Sequence, residues 1–121
     1  MTDITPSRDC GNSPKNQFAE QIAIAMETGD TGFARDALDD NVMWESSKGD
    51  ISGRSQVLAR LEQALQPDRL FIDHVVTHGS AGAVNGVAEH EGSMRPRRFC
   101  YILTFTNTKC RMLRRITSFQ Y

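Results

Sequence analysis

Apolar positions along the chain follow two rules. Up to about residue 66 they recur at helical spacing; beyond it they crowd into runs of β-branched and aromatic residues. Ser13 suits an N-cap and Pro14 the first helical position. Phe18, Ile22, Ala25 and Met26 then form one apolar face, and Gly29 is a natural stop. A shorter helix carries Phe33, Ala34, Ala37 and Leu38 on one side and ends at Asp39, Asp40 and Asn41. A short apolar strand, Asn41 to Glu45, follows. A polar turn leads through Ser52 and Gly53 into a third helix, with Val57, Leu58, Leu61 and Leu65 as its stripe and Pro67 at its end.

Residues 69–77, 83–91, 97–106 and 111–120 are rich in Val, Ile, Phe, Tyr and Thr. Turn residues at 79–82, 92–96 and 107–109 separate them, and such short connections predict an antiparallel meander. Helices first and strands last predict an α+β fold, with the N-terminal helices packed on one face of a curved antiparallel sheet. Phe99, Tyr101, Leu103 and Phe105 alternate with Cys100, Ile102 and threonines. One sheet face should cover the helices. The other is too apolar to stay fully wet, so a homodimer through the sheet is expected.

Composition narrows the function classes. With 121 residues, 39% hydrophobic and 24% charged, the chain fits one globular domain. The first 14 residues are polar, lack the apolar stretch of a signal peptide and read as a flexible tail before a domain spanning 15–121. No apolar run approaches the ~18 residues of a membrane helix, so no membrane partner is expected. The net charge of −1 argues against bulk nucleic acid. Cys10, Cys100 and Cys110 are odd in number and widely spaced, which suggests neither a disulfide framework nor a zinc site, and free thiols fit a reducing cytoplasm. Cys100 reads as a small core residue. The chain shows no phosphate loop, nucleophile elbow or Cys-His pair, and no cofactor is expected.

The order of elements, with METGD at 26–30, LDDNVMWES entering the strand at 38–46, SGRSQVLARL at 52–61 and RRITSFQY closing the chain, resembles the NTF2-like superfamily. SnoaL-like proteins and ketosteroid isomerases belong to it. The resemblance covers about residues 15–121 and implies a half-open cone, in which a sheet wraps a long helix around a pocket. THGSAGAVNG followed by FCYILTF looks like a subgroup of small bacterial members. That superfamily hosts isomerases, cyclases, dehydratases, hydrolases and binding modules, so the fold leaves the activity open. Carried over residue by residue, the resemblance puts Glu45 at the isomerase general base and Tyr101 where an oxyanion-hole aspartate stands. Ile22 falls where that hole has a tyrosine, so the constellation is altered. The same register turns Val84, Gly86, Ala88 and His90 toward the pocket, where small residues imply either extra room or filling from elsewhere.

Glu45 as a base requires a partly desolvated carboxylate. Trp44 is its neighbour, but in a regular strand the two point to opposite faces; Leu61 or Phe99 would then be the wall. The other reading of Glu45 is a solvated edge residue. Tyr101 fits an oxyanion donor or a core tyrosine, and His90 an acid or base at the pocket mouth or a strand-end histidine. Trp44, Ile22, Leu61, Val84, Phe99 and Leu103 complete the expected ligand-lining set. His74 and His78 lie four residues apart in a strand, roughly 13 Å, too far to share a metal ion. Arg95, Arg97 and Arg98 and then Arg111, Arg114 and Arg115 cluster toward opposite ends of a hairpin; Arg114 or Arg115 is the arginine expected to reach the cavity.

These readings converge on a pocket protein for a small apolar or carbonyl-containing ligand. Its expected chemistry is cofactor-free proton transfer beside a carbonyl, as in an isomerase or lyase. The alternatives are a ligand-binding or dimerisation module without catalysis, and polyanion binding through the arginines.

Overall fold

The computed structural model describes residues 1–93 and 95–121. Ser13 caps helix α1 (Pro14–Thr28) by accepting from the Asn16 N–H, and Gly29 closes it with a φ of 74°. A Cβ on Gly29 would lie 2.8 Å from the Leu61 carbonyl oxygen, so this residue also lets α1 end against a second helix. Asp30 caps α2 (Thr31–Ala37). Strand β2 (Leu38–Glu45) starts directly afterwards, the two-residue β3 (Ile51–Ser52) turns back on it, and α3 (Arg54–Glu62) follows. α3 ends five residues before the expected stop at Pro67.

The rest of the chain is a meander of four strands: β4 (Arg69–His78), β5 (Ala81–Glu89), β6 (Arg97–Phe105) and β7 (Leu113–Gln120). They pair antiparallel in sequence order, as the spacing of turn residues predicts. The turn expected at 92–96 includes Met94, which lies outside the described residues.

Seven strands form one sheet in the order β1-β4-β5-β6-β7-β2-β3. The two strands that flank the meander join it in parallel: β2 runs beside β7, and β1 (Asp3–Thr5) runs beside β4; β3 then pairs antiparallel with β2 at the edge. The first residues are therefore not the free tail that their polarity suggests. Besides the β1 pairing, the Ser7 N–H and the Cys10 thiol both donate to the Glu20 carboxylate of α1, at 2.7 and 2.9 Å, and Asp9 accepts from the Val75 N–H at 3.0 Å. Backbone and carboxylate partners hold a stretch that has almost no apolar surface to bury.

The sheet curves around α1. Phe99, Tyr101, Leu103 and Phe105 of β6 point inward and are buried with Ile22, Met26, Leu61, Leu70, Val84 and Ile116. Their outward neighbours leave Ile102 and Phe119 exposed. At the centre, Gly86 faces β4 and β6 so closely that a Cβ would stand 2.1 Å from the Phe71 carbonyl oxygen and 2.7 Å from the Phe99 ring. The register of β4 also shifts here, between Ile72 and His74. The small residue thus makes room for Phe99 and not for a ligand.

Candidate ligand-binding site

A cavity of about 660 Å³ opens between the C-terminal turn of α1, α3 with its following loop, and the ends of β2, β6 and β7. Its apolar wall includes Met26, Trp44 and Leu61; its polar lining includes Ser46, Ser93, Ser118 and Gln120. Trp44 is fixed at both edges. Its Nε1–H donates to Ser118 Oγ at 2.9 Å, and the Arg60 guanidinium lies 5.3 Å above its ring, a cation–π distance. Arg60 in turn donates to the Gly49 carbonyl at 3.3 Å and lies 3.5 Å from Ser46 Oγ, tying the 46–50 turn to α3.

The floor is a cluster built on Glu27. This residue sits in the last turn of α1 and is 4% exposed. Its Oε1 accepts from Arg97 at 2.5 Å and its Oε2 from the Tyr101 hydroxyl. Arg97 and Tyr101 stand four residues apart on β6, both turned inward by strand alternation. A carboxylate this deep holds its charge only with such partners. Burial, and then the adjacent Glu27 carboxylate, push the Tyr101 phenol well above its ordinary pKa. The phenol therefore keeps its proton at neutral pH and shares it with Glu27.

The structure gathers some of the anticipated residues and separates others. Trp44, Leu61, Tyr101 and His90 line the cavity; His90 is half-exposed at the rim, its Nε2 3.4 Å from the Leu65 carbonyl. Ile22, Val84, Phe99 and Leu103 are not at its surface: each is at most 2% exposed within the core. The Phe99 ring packs on Tyr101 with centroids 5.6 Å apart. Glu45 is on the other face of the sheet. With Trp44 inward, alternation sends Glu45 outward, where its Oε1 accepts from Arg115 and Thr117, each at 3.3 Å. It cannot act on a ligand held above Tyr101. Arg114 and Arg115 do not line the cavity; Arg60, Arg95 and Arg97 are the arginines that do.

Glu27 is the residue that the apolar stripe concealed. Phe18, Ile22, Ala25 and Met26 describe one face of α1, but Ala19, Glu20, Ala23 and Glu27 are buried as well. Two acids seven residues apart, flanking Ala23 on the shoulder of an otherwise apolar helix, are the available sequence signal: each needs a partner inside.

No protein-family model matches the chain, and no curated protein matches it. Solved structures do. A proposed ketosteroid isomerase from Kribbella flavida DSM 17836 aligns with a TM-score of 0.72 at 15% identity, over 88% of this chain and 77% of that one. A proposed isomerase of the SnoaL-like family from Agrobacterium tumefaciens str. C58 also reaches 0.72, at 14% identity over 88% and 97%. An NTF-2 like protein of unknown function from Burkholderia xenovorans LB400 reaches 0.68, at 19% identity over 86% and 82%.

The chain has the NTF2-like fold. At these identities the likeness extends to the fold and not to the activity. Against the isomerase arrangement that the sequence resemblance implies, the strand position holds Tyr101 and the helix position Ile22, while the carboxylate that accepts from Tyr101 is Glu27, five residues further along α1.

Proposed function

We propose that this protein binds a small molecule in the cavity between α1, α3 and the inner face of the sheet, as a SnoaL-like or ketosteroid isomerase-like pocket protein. One observation carries the reading: a cavity of drug-like size ends on a satisfied polar cluster, Glu27 with Arg97 and Tyr101, opposite an apolar wall at Trp44 and Leu61. Binding sites commonly combine an apolar enclosure with a few placed polar groups. The three free cysteines fit a cytoplasmic setting. Val76, Ile102 and Phe119, exposed on the outer sheet face, support assembly as a homodimer through that face.

Binding without catalysis is the reading that the geometry favours. Tyr101 donates its one proton to Glu27, and Glu27 is engaged at both oxygens, so neither group is free to exchange a proton with a ligand in this arrangement. Cofactor-free proton transfer on a carbonyl compound is the second reading. It is favoured by His90 at the rim, an imidazole in the lining of the same cavity.

A thermal-shift screen of small carbonyl compounds tests both. Binders should raise the melting temperature by several degrees at saturating concentration, since occupancy at 100 times Kd is worth about 2.7 kcal/mol. They should lose this effect in Ser118→Trp, which fills the space between Trp44 and Tyr101. Equal shifts in the two proteins would move binding elsewhere. Turnover of a binder that disappears in His90→Gln would favour the second reading over the first.

A further inference from the structure

Given that the cavity is a ligand site, we propose that its ligand is an organic carboxylate with an apolar body, held by Arg97 and Arg60. The lining carries four permanent cations, Lys48, Arg60, Arg95 and Arg97, against one carboxylate, Glu27. This excess is local, because the whole chain has a net charge of −1. Walls of low polarizability strengthen the field of such a cluster inside a cleft.

The individual arginines suit the task. Arg97 gives one N–H to Glu27, which fixes the plane of its guanidinium, and its side chain remains 28% exposed. Arg60 lies over the Trp44 ring and donates to Gly49. Its position is thus set by the fold, and no carboxylate pairs with it among the described residues. A guanidinium held in place with unused N–H groups recognises a carboxylate or phosphate in paired hydrogen bonds. Lys48, exposed on the 46–50 turn, adds a mobile charge at the mouth. Glu27 does not oppose an incoming anion strongly, since Arg97 and the Tyr101 hydroxyl cover its two oxygens. The remaining wall, Met26, Trp44 and Leu61, selects for hydrocarbon and against a bare, fully hydrated ion. An anionic head with a ring or chain attached satisfies both halves of the lining.

Trp44 is the only tryptophan, so its fluorescence reports on this cavity directly. Titrations at low salt would compare matched pairs: cyclohexanecarboxylate with cyclohexanecarboxamide, phenylacetate with phenylacetamide, and inorganic phosphate alone. At least one carboxylate should bind roughly tenfold or more tighter than its amide, with an affinity that falls as salt is added. The carboxylate-to-amide ratio should shrink toward one in Arg60→Gln, and partly in Lys48→Gln, whose exposed position puts the fold at no risk. Amides binding as tightly as carboxylates would overturn the charge preference and leave the pocket reading standing. So would an unchanged ratio in both variants. Phosphate binding more tightly than every carboxylate would overturn the organic-acid assignment. No response to either member of any pair would overturn the inference and the pocket reading together.

Discussion

A carboxylate removed from water keeps its charge only if donors replace the water it lost, and Glu27 has two. The Tyr101 hydroxyl is the more informative, because its own ionisation is affected. Burial and the neighbouring charge raise its pKa well above the usual ~10 of tyrosine. In the unfolded chain Tyr101 ionises near pH 10; in the folded chain it does not. The stabilisation is therefore fully present below pH 10 and declines as pH rises through and beyond that value, where the unfolded state releases a proton that the native state retains. Tyr101→Phe should destabilise the protein by about 2 kcal/mol at neutral pH, the scale of a hydrogen bond to a charged group. Urea unfolding followed by Trp44 fluorescence at a series of pH values should give a wild-type advantage that is flat up to about pH 9 and shrinks above about pH 10. An advantage unchanged at pH 11 would remove the link between Tyr101 ionisation and stability. At this scale the sequence was only partly legible. Alternation in β2 and β6 is a local rule, so the opposite directions of Trp44 and Glu45 follow from adjacency alone. The partnership of Glu27 with residues 70 and 74 positions away follows from no local rule, and a single apolar stripe on α1 hid it.

Regular elements of seven residues or more were the readable ones, because periodicity needs several repeats to emerge. That covers the three helices and the four-strand meander. β1 and β3 span three and two residues, too few for any pattern, and the parallel pairing of β2 with β7 joins segments far apart in sequence. Gly86 belongs to this scale. The resemblance to isomerases offers two meanings for a small residue there, a roomier pocket or a space filled by another group. Phe99 and the Phe71 carbonyl fill it. Because one of these neighbours is backbone in a paired strand, it cannot move aside as a side-chain tip would. Gly86→Ala should then cost about 3 kcal/mol through overpacking at the β4–β5–β6 junction, read as a lower urea midpoint with an unchanged slope. A variant as stable as the wild type would mean that the β4 irregularity between Ile72 and His74 absorbs the methyl group without strain.

The whole molecule presents two unlike faces. The concave side is covered by α1 and α3 and retains a cationic cavity. Among the described residues no layer covers the convex side: Val76, Ile102 and Phe119 are 61%, 41% and 51% exposed on it. Register puts them close together, since Val76 and Ile102 both pair with Ala83, and Phe119 pairs with Cys100 beside Ile102's row. An exposed apolar row on an uncovered sheet face is what half of an isologous contact looks like. A second copy related by a two-fold axis would cover the row. Equilibrium sedimentation should therefore give twice the mass of one chain at concentrations of roughly 10 µM, within the range typical of a standard-sized interface. Phe119→Glu should lower the association by about 100-fold or more, by leaving carboxylates opposed across the axis. It should not alter carboxylate titrations of Trp44, because the ring and the cavity lie on the far side of the sheet. If the wild type sediments as one chain at ten times that concentration, the convex face is simply an exposed apolar surface. If Phe119→Glu dimerises as well as the wild type, the contact lies elsewhere on the molecule.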